Sequence, residues 1–137
     1  MQIEVNVGHS GLNIIELEQT VKFILEYLQK NDKIGNKETI ISLAIVVKKK
    51  IQELNKIYRQ QDKPTDVLSF GYEDSNDKLE GEIILCLEVI KKNAKKDGIA
   101  WKDELIKNII HGILHIIGYK HGKKMFDCQD KIFNKIK

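Results

Sequence analysis

Residues His111 to His121 read His-Gly-Ile-Leu-His-Ile-Ile-Gly-Tyr-Lys-His, and this stretch constrains the chain more than any other. Three of the four histidines fall in it. His111 and His115 stand four apart in a run that reads as a helix, so their imidazoles project from one face about one turn apart. His121 comes just after Gly118, a residue suited to ending a helix in a left-handed conformation and turning the chain back. Three nitrogens are thereby delivered to one point. A divalent metal with three protein ligands and a further position open to water is the layout of a catalytic rather than a structural site.

On a helical wheel at about 100° per residue, Leu105, Ile106, Ile109, Ile110, Ile113, Ile116 and Ile117 gather on one side. His111 and His115 point to the other, in a row with Glu104, Asn108 and Gly118. A histidine that merely fills the core would lie within the apolar stripe. These two face away from it, over something polar. A lone histidine supports no such reading, and His9 is taken as an ordinary surface or core residue. The spacing resembles the metzincin pattern, in which a glutamate after the first histidine acts as general base. Gly112 occupies that place, so the standard metalloprotease base is missing. A glycine in a helix interior costs about 1 kcal/mol relative to alanine. Its presence here is consistent with close approach of backbone or substrate.

The 137 residues suit one domain, 1–137, with a real core. With 42% hydrophobic and 31% charged residues the chain reads as globular, not disordered. A net charge of +3 is compatible with a polyanionic partner and too small to argue for one. Two distant cysteines, Cys86 and Cys128, make no disulfide framework and no zinc finger, and read as reduced thiols of a cytosolic protein. The chain starts without a basic-then-apolar signal segment, and no apolar run nears the ~20 residues that cross a bilayer. The expectation is a cytoplasmic protein without a membrane partner.

In order, Gln2 to Val7 alternates like a half-buried strand, and Leu12 to about Lys30 has helical periodicity through Ile14, Ile15, Leu17, Val21, Ile24, Leu25 and Leu28. Thr39 to Val47 is short, apolar and β-branched, which predicts a strand buried on both faces. Lys48 to Arg59 predicts a helix with Ile51, Leu54, Ile57 and Tyr58 inward and its lysine run on a solvated surface. Val67–Phe70 and Gly81–Leu87 predict two strands around a polar turn. Helices follow at Glu88–Lys96, Lys102–Gly118 and Lys123–Lys137, the last with Met125, Phe126, Ile132, Phe133 and Ile136 inward. The predicted fold is one α+β domain, a small mixed four-stranded sheet surrounded by about five helices, one of them a zincin-like metal-binding helix.

A second constellation runs from Asn55 to Phe70 and holds both the sole arginine, Arg59, and the sole proline, Pro64. In a lysine-rich chain an isolated arginine points to the planar, bidentate fork that grips phosphate or carboxylate. The plainer alternative is an Arg59 pair with Asp62 or Asp66 that organises the loop. Thr65 and Ser69 are open to capping, turning or binding.

These two segments, Tyr58-Arg59 through Asp62-Lys63-Pro64-Thr65-Asp66-Val67-Leu68-Ser69-Phe70 and His111 to His121, resemble the YbeY family of bacterial metal-dependent endoribonucleases. The likeness covers the whole chain in length and layout. It implies a divalent metal, zinc by expectation, on His111, His115 and His121. Arg59 then faces the metal across a cleft as catalytic and substrate-binding residue; Lys63, near it in sequence, is expected to help hold the RNA backbone. It also implies single-strand-specific cleavage, 3′-end maturation of small-subunit ribosomal RNA and ribosome quality control. The partners are then that RNA, the small subunit and assembly factors, with no DNA. Two departures stand out. Lys120 replaces an aspartate common in the family, and Gly81-Glu82-Ile83 replaces Gly-Asp-Ile. Glu82 is thus only a weak candidate for a base, beside a water acted on by the metal alone. Two other readings are a protease-like metal hydrolase and a non-catalytic ribosome-assembly module with a structural metal.

Overall fold

The computed structural model describes residues 1–137, in the order β1 (Gln2–Asn6), α1 (Ile14–Lys30), β2 (Glu38–Ile45), α2 (Lys48–Arg59), β3 (Val67–Asp74), β4 (Lys78–Leu85), α3 (Leu87–Asp97), α4 (Trp101–Ile116) and α5 (Lys123–Ile136). The strands form one sheet in the order β1-β2-β4-β3. β1, β2 and β4 are parallel, and β3 runs antiparallel to β4 along the edge. This is the expected α+β domain with a mixed four-stranded sheet and five helices.

The two faces of the sheet are covered unequally. On one face, Ile41, Leu43, Ile45, Leu79, Ile83 and Leu85 meet the apolar sides of α1, α3, α4 and α5 in the main core. On the other, α2, with Val89 of α3 beside it, covers a small cluster of Ile51, Leu68, Ile84 and Cys86. This inequality corrects two expectations. β2 buries one set of alternate residues and leaves the other half-covered, so it is not buried on both faces. Ile57 and Tyr58 are exposed, because no layer lies outside α2 to receive them. Phe126 is also exposed at the start of α5, whereas Met125 and Ile132 are fully buried. Both cysteines are free. No helix is long and apolar enough to cross a membrane.

α4 is the centre of the domain, packed between β3 and β4 on one side and α1, α3 and α5 on the others. Two glycines let it approach the sheet. A Cβ on Gly112 would lie 3.1 Å from Ile83, and one on Gly81 would lie 2.7 Å from Ile116. The close approach inferred for Gly112 is therefore made by the sheet.

Candidate metal centre

The site is built on the last two turns of α4 and the loop behind it. α4 ends where Gly118 takes φ +101°. The Gly118 N–H then donates to the His115 carbonyl and the Tyr119 N–H to the Leu114 carbonyl, a Schellman closure. That closure has a second effect. It aims the Tyr119 carbonyl at His115, whose Nδ1 lies 3.0 Å away. His111 Nδ1 likewise lies 3.1 Å from Gln129 Oε1 of α5. Both partners are acceptors, so both Nδ1 atoms carry the hydrogen and both Nε2 lone pairs are left free.

Those lone pairs converge. The Nε2 atoms of His111, His115 and His121 stand 3.1, 3.1 and 3.2 Å apart. His111 and His115, each with Nδ1 protonated, have no hydrogen to share between their Nε2 atoms, so that contact is electrostatically unfavourable without a cation. A zinc ion at about 2.0–2.1 Å from each nitrogen would hold them about 3.3 Å apart in tetrahedral geometry, close to the observed triangle. The donor set fits such an ion, and these three histidines form the chain's one group able to hold it. Burial pushes the His111 and His115 imidazoles below the usual histidine range, and for His115 the neighbouring His111 adds to it. Both effects favour the neutral form that binds metal.

A cleft of about 590 Å³ opens beside the histidines. α4 supplies one wall, with His111, Gly112, His115 and Ile116, and β3 with its preceding loop supplies the other, from Thr65 to Gly71. Arg59 closes the same cleft from the end of α2. Its Nη2 donates to the Ser69 carbonyl at 2.9 Å, and its guanidinium lies 5.3 Å from the Phe70 ring centre. These contacts orient the fork while leaving most of its five donors free. The alternative of an Arg59–aspartate pair is not what forms. Asp62 takes Gln52 and Lys56 instead, and Asp66 Oδ1 accepts from the Thr65 hydroxyl and the Val67 N–H.

Of the residues singled out from the sequence, His111, His115, His121 and Arg59 meet in this one cleft. Lys63 does not line it; its carbonyl accepts from Asn55 and its side chain is exposed. Glu82 faces the other side of the sheet, since Gly81 and Ile83 face α4 and parity sends residue 82 away. Its carboxylate accepts from the Tyr72 hydroxyl at 2.7 Å. Asp66 was missed as a cleft residue, and it is the one carboxylate in the lining. Its loop position hid it, because no periodicity assigns a face to a loop side chain. Burial, reinforced by the charge of Asp66, pushes the Glu104 carboxyl above its ordinary range.

Comparison with known proteins finds relatives over nearly the whole chain. The family model for endoribonuclease YbeY matches residues 2–137. A Persephonella marina protein named Endoribonuclease YbeY is 37% identical, with 98% of this chain and 91% of the relative covered. One of the same name from Sulfurihydrogenibium is 36% identical, covering 87% and 85% respectively. A solution structure of a Thermotoga maritima protein superposes with a TM-score of 0.64 at 30% identity, covering 98% of this chain and 89% of that one.

Proposed function

The chain belongs to the family of endoribonuclease YbeY, and on that premise we propose that it is a metal-dependent endoribonuclease cutting single-stranded RNA in the cleft between α4 and β3. The observation that carries this reading is the convergence of three histidine Nε2 atoms and one pre-oriented arginine on a single cleft. His111, His115 and His121 would hold the metal, which we take to be zinc. When bound, it supplies Lewis acidity toward a phosphoryl oxygen and lowers the pKa of a coordinated water.

The chain's own residues do the rest. Arg59, held by Ser69 and Phe70, presents its free N–H groups to the scissile phosphate and stabilises the negative charge that develops there. Asp66 takes the proton of the attacking hydroxyl as the bond from phosphorus to the leaving oxygen breaks, that oxygen taking its proton from solvent water. Glu82 cannot reach this role from the far side of the sheet. Oδ1 of Asp66 is fixed by Thr65 and Val67, which leaves Oδ2 for that proton. Lys63 contacts the RNA backbone beyond the cleft mouth. The protease reading lacks its general base, since position 112 in the cleft is glycine. The substrate we propose is the 3′ region of small-subunit ribosomal RNA, met in the cytoplasm on the small subunit with its assembly factors.

The test is cleavage of a labelled RNA, single-stranded or annealed to its complement, by the metal-loaded protein. The single strand is cut and the duplex is spared. Arg59→Ala lowers kcat by about 10²–10³-fold with metal content unchanged, and Asp66→Asn also lowers kcat. Absence of cleavage by the wild type, with metal bound, refutes the reading.

A further inference from the structure

A second groove meets the metal cleft at His121, which lines both. Lys33, from the loop after α1, and Lys120, Lys123 and Lys124, around the start of α5, line this groove, and no acidic residue does. All four lysines are exposed. Each of the four ion pairs in the structure involves some other lysine, so none of these four ammonium groups has a carboxylate within 4.0 Å. The first turn of α5 also holds two lysines and no acid, the reverse of what the helix dipole favours. Lysines on two separate segments of the chain thus face one concave surface without counter-charges.

The turn bearing the third metal ligand, from Lys120 to Lys124, carries three lysines and no acid. The β3–β4 hairpin, by contrast, carries Glu73, Asp74 and Asp77 beyond Gly71, with Lys78 the one lysine among them. A polyanion lying across the metal is therefore drawn more strongly toward the lysine groove than toward this hairpin.

We propose that the lysine groove seats the phosphodiester backbone of the RNA on one side of the scissile phosphate, so that the strand runs from Arg59 past His121 onto Lys120, Lys123, Lys124 and Lys33. This rests on the endoribonuclease reading of the cleft. The lysines act as point charges on phosphates and carry no sequence preference. They contribute to binding and leave the chemical step alone.

The experiment uses metal-loaded protein and a fluorescent, unstructured single-stranded RNA, with affinity measured over a series of salt concentrations and cleavage measured in parallel. Three variants are compared with wild type: a Lys33→Glu, Lys123→Glu, Lys124→Glu triple, the single Lys120→Asp, and a Lys48→Glu, Lys49→Glu control on α2. Metal content and melting midpoint are recorded for each. A Lys→Gln version of the triple covers the case in which charge reversal disturbs folding. The slope of log affinity against log salt falls by about 2 in the triple and by about 0.7 in Lys120→Asp, at about 0.7 per lost phosphate contact. KM rises and kcat holds, while the control matches wild type. A slope unchanged in the triple and its glutamine version, or a control that loses as much, overturns the groove. An acidic protein partner would leave RNA binding unchanged and counts among those overturning results. If wild type itself fails to cut the RNA, the endoribonuclease reading falls; if it cuts while the variants bind normally, only the groove falls.

Discussion

Gly81 of β4 and Ile116 of α4 approach so closely that a methyl group on residue 81 would lie 2.7 Å from Cδ1 and Cγ2 of Ile116. Ile116 is buried and β-branched, so it has little freedom to move aside. Gly81→Ala is expected to cost about 1–3 kcal/mol by overpacking. It should also weaken metal binding, because Ile116 follows His115 in the last turn of α4. Gly112→Ala differs: about 1 kcal/mol of helix propensity works against a milder 3.1 Å contact with Ile83, so its net effect is small. Urea midpoints of the two variants check the contrast.

Gln129 lies on α5, remote in sequence from the histidines, yet its Oε1 fixes the tautomer of His111. Gln129→Ala is expected to lower metal affinity by about 10–100-fold while the three ligands remain. Competition against a chelator of known affinity measures it. An unchanged affinity would mean that His111 needs no such partner.

The Tyr72 phenol is pushed up from 10.0 to about 12, by burial first and then by its hydrogen bond to Glu82. The folded protein thus favours the protonated phenol. The stability this adds is present below the ordinary pKa of 10.0 and is lost as the pH rises toward about 12. Glu82→Gln should bring part of the phenolate absorbance change back to lower pH. Metal content and RNA cleavage should not change, because Glu82 is on the far side of the sheet. Loss of metal in that variant would place the carboxylate wrongly.

The metal helix was legible from sequence because its information is local. A spacing of four on a helix and a glycine after it are enough to bring His111, His115 and His121 together. Arg59 was legible through composition, as a single arginine among lysines. Side chains whose orientation depends on a second element were not. Whether Glu82 or its neighbours face the metal is decided by where α4 docks, and strand periodicity gives only the alternation. Ile57, Tyr58 and Phe126 follow the apolar period of their helices, yet no layer covers them. Phe126 instead sits beside the site, its ring centre 6.2 Å from that of His111 and 6.5 Å from that of His121. Asp66 and the groove of four lysines each depend on loops whose course the sequence does not specify.

The most direct measurement replaces His115 by alanine and follows bound metal and RNA cleavage on the same preparation. His115 Nε2 stands 3.1 Å from that of His111 and 3.2 Å from that of His121. Its removal therefore leaves two ligands of three. The expected result is loss of stoichiometric metal and of cleavage, with the melting transition largely kept because a catalytic ion does not hold the core together. Full metal content with full cleavage in His115→Ala would contradict the account at its centre.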